Sequence, residues 1–159
     1  GGTNNGNYAS SKVTFINCDF LSGSGGHAVH FYGSTGGELV FTDCLLRGFS
    51  SFASSITKIT MDKCTIEGNG LDGQIKLHQD TDLKDCTFDL QNVDNSHVFG
   101  INAQSGATVT LINSCNCVIP IELWALDGAK IVRDDGTILA EHTSGEYEYI
   151  PSYSGFTSS

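Results

Sequence analysis

Four acids sit at fixed offsets from cysteines. Asp43 and Asp85 immediately precede Cys44 and Cys86, while Glu67 and Asp89 follow Cys64 and Cys86 by three residues. Paired carboxylates do the acid–base work of glycoside hydrolysis, a separation of about 5 Å suiting retention and one up to about 9.5 Å suiting inversion. If successive stretches of chain stack at the ~4.8 Å spacing of β-strands, Glu67 and Asp89 face each other across one step, and Asp43 and Asp85 across two. These four are the candidate catalytic residues. Lys63 falls between Asp43 and Asp85, and Arg47 beside Glu67, so the same columns also read as charge-balanced structural ladders.

Aromatic residues suggest binding instead. Trp124, Tyr147, Tyr149 and Tyr153 gather in the last third of the chain. Sugar rings stack on such side chains while the indole N–H and phenol hydroxyls hydrogen-bond, which makes these four the candidate glycan-binding residues. Packing of a cap, or a contact between subunits, would use them equally well. His27 and His97 occupy equivalent positions three units apart, too far to form one site, and His30, His78 and His142 have no matched partner. Structural or surface roles are expected for all five histidines. The positions Thr14, Val40, Thr60, Asp82 and Thr110 suggest a flat threonine face for ice or sugar, broken twice. There is no G-x-S-x-G elbow, HExxH helix or phosphate-binding loop, so no cofactor is expected.

What must position these groups is set by the cysteines. From Cys18 to Cys86 the intervals are 26, 20 and 22 residues, a repeat rather than a CxxC metal knuckle or a dense disulfide framework. Cys18, Cys44, Cys64 and Cys86 are therefore expected as buried thiols in one ladder and no metal is expected, while Cys115 and Cys117 leave a disulfide open. Aligned on the cysteines, five segments share a grammar: 13–20 (VTFINCDF), 39–46 (LVFTDCLL), 59–66 (ITMDKCTI), 81–88 (TDLKDCTF) and 109–116 (VTLINSCN). Each opens apolar-x-apolar, and the first four resume as Cys-x-apolar, so the period-2 alternation slips by one residue at the junction. Such a slip demands a sharp bend. The bend residues are Asn17, Asp43, Lys63, Asp85 and Asn113, and Asn and Asp are the non-glycine residues that best tolerate the left-handed conformation. Lys63 is the exception, expected to carry some strain.

A further strand is expected after each bend, at 27–31, 52–56, 74–77 and 97–101, with Gly-, Asn-, Asp- and Ser-rich insertions absorbing the length variation. Units of about 20 to 28 residues with three short strands cannot fold alone and stack into a solenoid. Helical periodicity and leucine-rich-repeat spacing are both missing. The expected fold is all-β: a right-handed parallel β-helix of about five to six rungs, roughly 25 to 30 Å long. Rungs are expected over residues 1–128. Residues 129–159 would form a hairpin around Asp135-Gly136 and an aromatic cap that protects the open strand edge.

The rung grammar resembles that of the pectate-lyase-like parallel β-helices, and among them the bacteriophage tailspikes and tail fibres, over Val13 to about Leu126. The resemblance implies a structural, receptor-binding homotrimer on the virion tail that contacts bacterial surface polysaccharide. The same fold also implies a second possibility, a polysaccharide lyase or glycosidase. A secreted adhesin is a third. Enzymes of that class use several acids with Lys or Arg in a long groove, and only Arg47 and Arg133 supply guanidinium groups here.

Composition bounds the partners. Across 159 residues, 8 Lys+Arg against 18 Asp+Glu give a formal charge of −10, which opposes binding to nucleic acid or an anionic membrane surface. The longest apolar stretch, 118–126, holds Pro120 and Glu122 and is far short of the ~20 residues that span a bilayer, so no membrane insertion is expected. The opening Gly1-Gly2-Thr3 carries neither an initiator Met nor a targeting segment. The chain is therefore expected to be a piece of a longer polypeptide that joins other tail or virion proteins upstream.

Overall fold

The structure is a computed structural model that describes residues 12–23, 26–31, 37–52, 56–94 and 99–157. Among these residues the regular elements are all strands: β1 (Lys12–Ile16), β2 (Asp19–Leu21), β3 (His27–His30), β4 (Glu38–Thr42), β5 (Leu45–Arg47), β6 (Phe49–Phe52), β7 (Lys58–Asp62), β8 (Thr65–Glu67), β9 (Ile75–Leu77), β10 (Asp80–Asp89), β11 (Phe99–Ala103), β12 (Thr108–Ala125), β13 (Lys130–Arg133), β14 (Ile138–Glu141) and β15 (Glu148–Thr157). They form a parallel β-solenoid of about five turns. Its first face stacks β1-β4-β7-β10-β12, its second runs β2-β5-β8 into the second half of β10, and its third stacks β3-β6-β9-β11 onto the end of β12.

The bends are where the sequence puts them. Asn17, Asp43, Lys63, Asp85 and Asn113 all have left-handed φ, at 53°, 52°, 55°, 52° and 69°. At three corners the bend N–H donates to a carbonyl of the following coil, Asn17 to Thr42 O, Asp43 to Asp62 O and Lys63 to Lys84 O, at 2.9, 3.0 and 2.9 Å, and at a fourth the Asn113 N–H donates to the Asp134 carboxylate at 2.9 Å. These four corner N–H groups are thus satisfied despite the left-handed conformation. In β10 and β12 the bend does not interrupt the strand, and β12 alone runs along all three faces. Its Ser114 is an added residue at the corner, so that Cys86 pairs with Cys115 beyond a bulge.

Inward columns make the core. Val13, Leu39, Ile59, Thr81 and Val109 stack in register, as do Phe15, Phe41, Met61, Leu83 and Leu111. Phe41 is fully buried, stacked on Phe15 at 5.1 Å and edge-on to Phe20 and Phe52 at 5.8 and 6.0 Å. Each such side chain contributes about 1.5–3 kcal/mol by leaving water. The cysteine column continues the core across the corner. Cys44 donates its S–H to Phe15 O at 3.4 Å, Cys64 to Phe41 O at 3.3 Å and Cys86 to Met61 O at 3.4 Å, so each thiol bonds the coil before its own. All six cysteines are free thiols, Cys115 and Cys117 included.

One strand differs from expectation. The third-face strand of the second coil is β6 at Phe49–Phe52 rather than 52–56. A single residue, Gly48 with φ 111°, turns the chain from β5 into β6, where the first coil uses the longer link after Leu21. Residues 53–55 of the expected strand lie outside the described residues.

Beyond β12 the chain begins another coil and then closes the end. β13 pairs parallel with the start of β12, and β14 folds back on β13 around Asp135-Gly136, where Arg133 N–H bonds Thr137 O at 2.8 Å. β15 then runs antiparallel along β12, pairing Ala125 with Glu148, Trp124 with Tyr149, Ile121 with Tyr153 and Cys115 with Phe156. The C-terminal edge is thereby covered by main-chain hydrogen bonds.

Candidate functional site

Register pairs Glu67 with Asp89 on adjacent coils, while Asp43 and Asp85 sit at the left-handed corners. Leu21, Arg47, Glu67 and Asp89 form one outward column on the second face. Glu67 Oε2 accepts the Arg47 Nε–H at 2.9 Å, and Asp89 Oδ1 accepts the Gln91 side-chain amide at 2.8 Å. Asp85 accepts from Asn113 Nδ2 at 3.2 Å and from the Ser114 hydroxyl at 3.1 Å, and these bonds, the Asn113 amide first, hold its carboxyl below the ordinary value. A carboxyl held ionised is the reverse of a general acid. Asp43 lines a shallow outward groove of about 380 Å³ with Asp19, Leu45, Lys63, Thr65 and Glu67. The groove brings Asp43 and Glu67 together with Lys63, and leaves Asp85 and Asp89 outside its lining.

The aromatic candidates divide. Trp124, Tyr147 and Tyr149 cluster, with Trp124 to Tyr147 at 4.4 Å and Trp124 to Tyr149 at 4.8 Å between ring centroids. Tyr147 is 44% exposed. Tyr153 belongs elsewhere: it is half-buried against the core, and burial raises its hydroxyl well above the ordinary value.

Two local devices fix this cluster. Pairing of β15 with β12 sets Tyr149 beside Trp124, and the Tyr149 hydroxyl donates to Glu122 Oε1 at 2.6 Å, which raises the Tyr149 pKa. His142 Nδ1 accepts the Gly128 N–H at 3.0 Å while its Nε2 lies 2.9 Å from Gly145 O, which makes Nε2 the protonated nitrogen. The ring ties two turns together and so positions the segment that delivers Tyr147.

The cluster ends an outward ladder on the third face. His30, Ser51, Lys76, Asn102, Trp124 and Tyr149 are successive register partners across β3, β6, β9, β11, β12 and β15. Amides run beside it: Gln104 Nε2 donates to Asn102 Oδ1 at 3.1 Å, Asn102 Nδ2 to Gln74 Oε1 at 3.3 Å, and Gln74 Nε2 to Asp72 Oδ2 at 3.3 Å. At the far end His27 stacks on His30 at 4.6 Å and lies 4.7 Å from Phe49, and burial first, His30 second, lowers the His27 pKa. His78 bonds Ser105 Oγ through Nδ1 at 2.9 Å. His97 lies outside the described residues.

Sequence columns built on the cysteines missed Gln74, Lys76, Asn102, Gln104 and Glu122, although the alternation of the third-face strands carries that signal. The Thr14-Val40-Thr60-Asp82-Thr110 column does face outward, interrupted by the Asp82 ion pair to Lys58 at 3.1 Å. Among the described residues no group of three or more His, Cys, Asp or Glu is arranged to hold a metal, and no helix is long and apolar enough to cross a membrane.

No family model matches the chain, and no curated protein and no solved structure matches it.

Proposed function

We propose that this chain is a receptor-binding β-helix of a bacteriophage tailspike or tail fibre, contacting bacterial surface polysaccharide through its third face. The observation that carries this reading is the outward ladder Lys76-Asn102-Trp124-Tyr149, in which aromatic rings and side-chain amides line up on a rigid scaffold. Rings supply stacking area for sugar faces, and amides supply the paired donors and acceptors that hydroxyls need. Strand spacing of ~4.8 Å repeats these groups at a pitch close to that of sugar rings in an extended chain.

Binding is favoured over cleavage by the state of the acids, since Glu67 is engaged by Arg47 and Asp85 is held ionised. The rung grammar supports the tailspike side of the reading, with a homotrimer on the virion tail joined to other tail proteins upstream.

Trp124 is the single tryptophan, so its fluorescence reports on the site directly. Titration with O-antigen and capsular polysaccharides is expected to change that fluorescence saturably, with no new reducing ends or unsaturated uronate. Tyr147→Ala is expected to weaken binding about tenfold, the worth of one aromatic contact. Unchanged fluorescence across the panel, or binding indifferent to Tyr147→Ala, would overturn the reading; light scattering tests the trimer.

A further inference from the structure

Resting on the homotrimer of the proposed function, we infer that copies of this chain meet through the first face of the solenoid, side by side with their stacks parallel and level. Three outward columns run along that face. One edge carries Lys12-Glu38-Lys58-Asp80 and then Thr108-Lys130, the middle carries Thr14-Val40-Thr60-Asp82-Thr110-Val132, and the corner edge carries Ile16-Thr42-Asp62-Lys84-Ile112. Lysines and acids balance in these columns, four of each, so the whole formal charge of −10 belongs to the rest of the chain. Copies that approach through this face avoid the self-repulsion of that excess.

The order of the charges selects the arrangement. Each strand sets its edge and corner residues about 13 Å apart, Lys58 and Asp62 on β7 and Asp80 and Lys84 on β10. When the edge of one copy lies level against the corner column of the next, Lys58 meets Asp62 and Asp80 meets Lys84. On the other coils Lys12 meets Ile16, Glu38 meets Thr42 and Thr108 meets Ile112, so no like charges oppose each other from the first coil to the fifth. Sliding one copy by a coil opposes Glu38 to Asp62 and Lys58 to Lys84, and sliding it the other way opposes Asp80 to Asp62. Edge-to-corner contact closes in a cyclic assembly about an axis along the stack. The middle column faces that axis with Thr and Val, and its one charge, Asp82, carries its own counter-ion, Lys58 Nζ at 3.1 Å. Ile16, 65% exposed, is covered by the aliphatic stem of Lys12 from the adjoining copy.

Sedimentation equilibrium and light scattering of the full chain test this up to about 1 mM, because a face this small buries less than a standard interface and associates weakly. A species of three chains is expected. Lys84→Glu sets a carboxylate against Asp80 of the adjoining copy and is expected to weaken association at least about tenfold. Thr60→Arg, in the middle column, is expected to abolish it. The double variant Asp80→Lys/Lys84→Glu re-forms the pair with its charges exchanged and is expected to recover most of the association. Asp80 Oδ1 also accepts the Thr108 N–H at 2.9 Å, so circular-dichroism melts of each variant separate assembly from folding. Association indifferent to both Lys84→Glu and Thr60→Arg overturns this inference and leaves the trimer standing. A dimer that responds to them keeps the contact and overturns the trimer. A chain that stays monomeric throughout overturns both, while titration of Trp124 with polysaccharide still decides glycan binding.

Discussion

Lys63 occupies a corner that the chain otherwise gives to Asn or Asp, and replacing it tests whether those corners are set by local backbone preference. Its φ is 55°, against 52° and 52° for Asp43 and Asp85 on the neighbouring coils. The left-handed conformation costs an L-residue about 1–2 kcal/mol, and Asn recovers part of that through its short polar side chain. Lys63→Asn keeps the N–H that bonds Lys84 O at 2.9 Å and removes no core atom, so about 0.5–1 kcal/mol of stabilisation is expected. For a chain of this length that corresponds to a rise of about 1–4 °C in Tm. The opposite change, Asp43→Val, puts a β-branched residue into the same conformation and is expected to cost about 1–2 kcal/mol, a fall of about 2–8 °C. Circular-dichroism melts of both variants, with urea denaturation as a second measure, give the comparison. A neutral or destabilising Lys63→Asn together with a tolerated Asp43→Val would refute the claim that the corners are conformationally encoded.

Gly155 has φ 85°, and a Cβ there would overlap the Cys115 carbonyl, so Gly155→Ala should cost about 2–4 kcal/mol and release β15 from β12. Faster proteolysis beyond residue 147 and concentration-dependent light scattering would register the uncovered edge, and an unchanged proteolysis rate would contradict it. In the folded protein a thiol reagent should label half-buried Cys18 and Cys117 and spare Cys44, Cys64, Cys86 and Cys115 until the chain unfolds. Burial raises the Cys44 thiol above its ordinary value. An unfolded thiol ionises near 9.0 while Cys44 stays protonated to higher pH in the fold, so its contribution is complete below that pH and is lost as the pH rises beyond it. Tm should therefore be level between about pH 7 and 8 and fall above about pH 9, and a rise there would count against the buried-thiol ladder.

The sequence by itself determined the repeating part of the molecule. A one-residue slip in alternation, with Asn or Asp at four of five slips, can only be a left-handed corner between two faces, and all five corners have the φ it requires. The cysteine columns and the Asp135-Gly136 hairpin were legible for the same reason, since each is a local pattern in which neighbouring residues satisfy one another's geometry. Tertiary structure decided what depends on residues distant in the chain. Gly48 makes a one-residue corner and moves β6 three positions earlier than loop composition suggests, because the stack and not the loop fixes where that strand begins. β15 runs back along β12, which brings Tyr147 and Tyr149 to Trp124 and separates Tyr153 from them. The Asn102-Gln74-Asp72 relay likewise joins neighbouring coils. Hydrogen bonding between coils acts across 20 or more residues of sequence, so composition can name the polar and aromatic groups while only the closed stack selects which of them share a face.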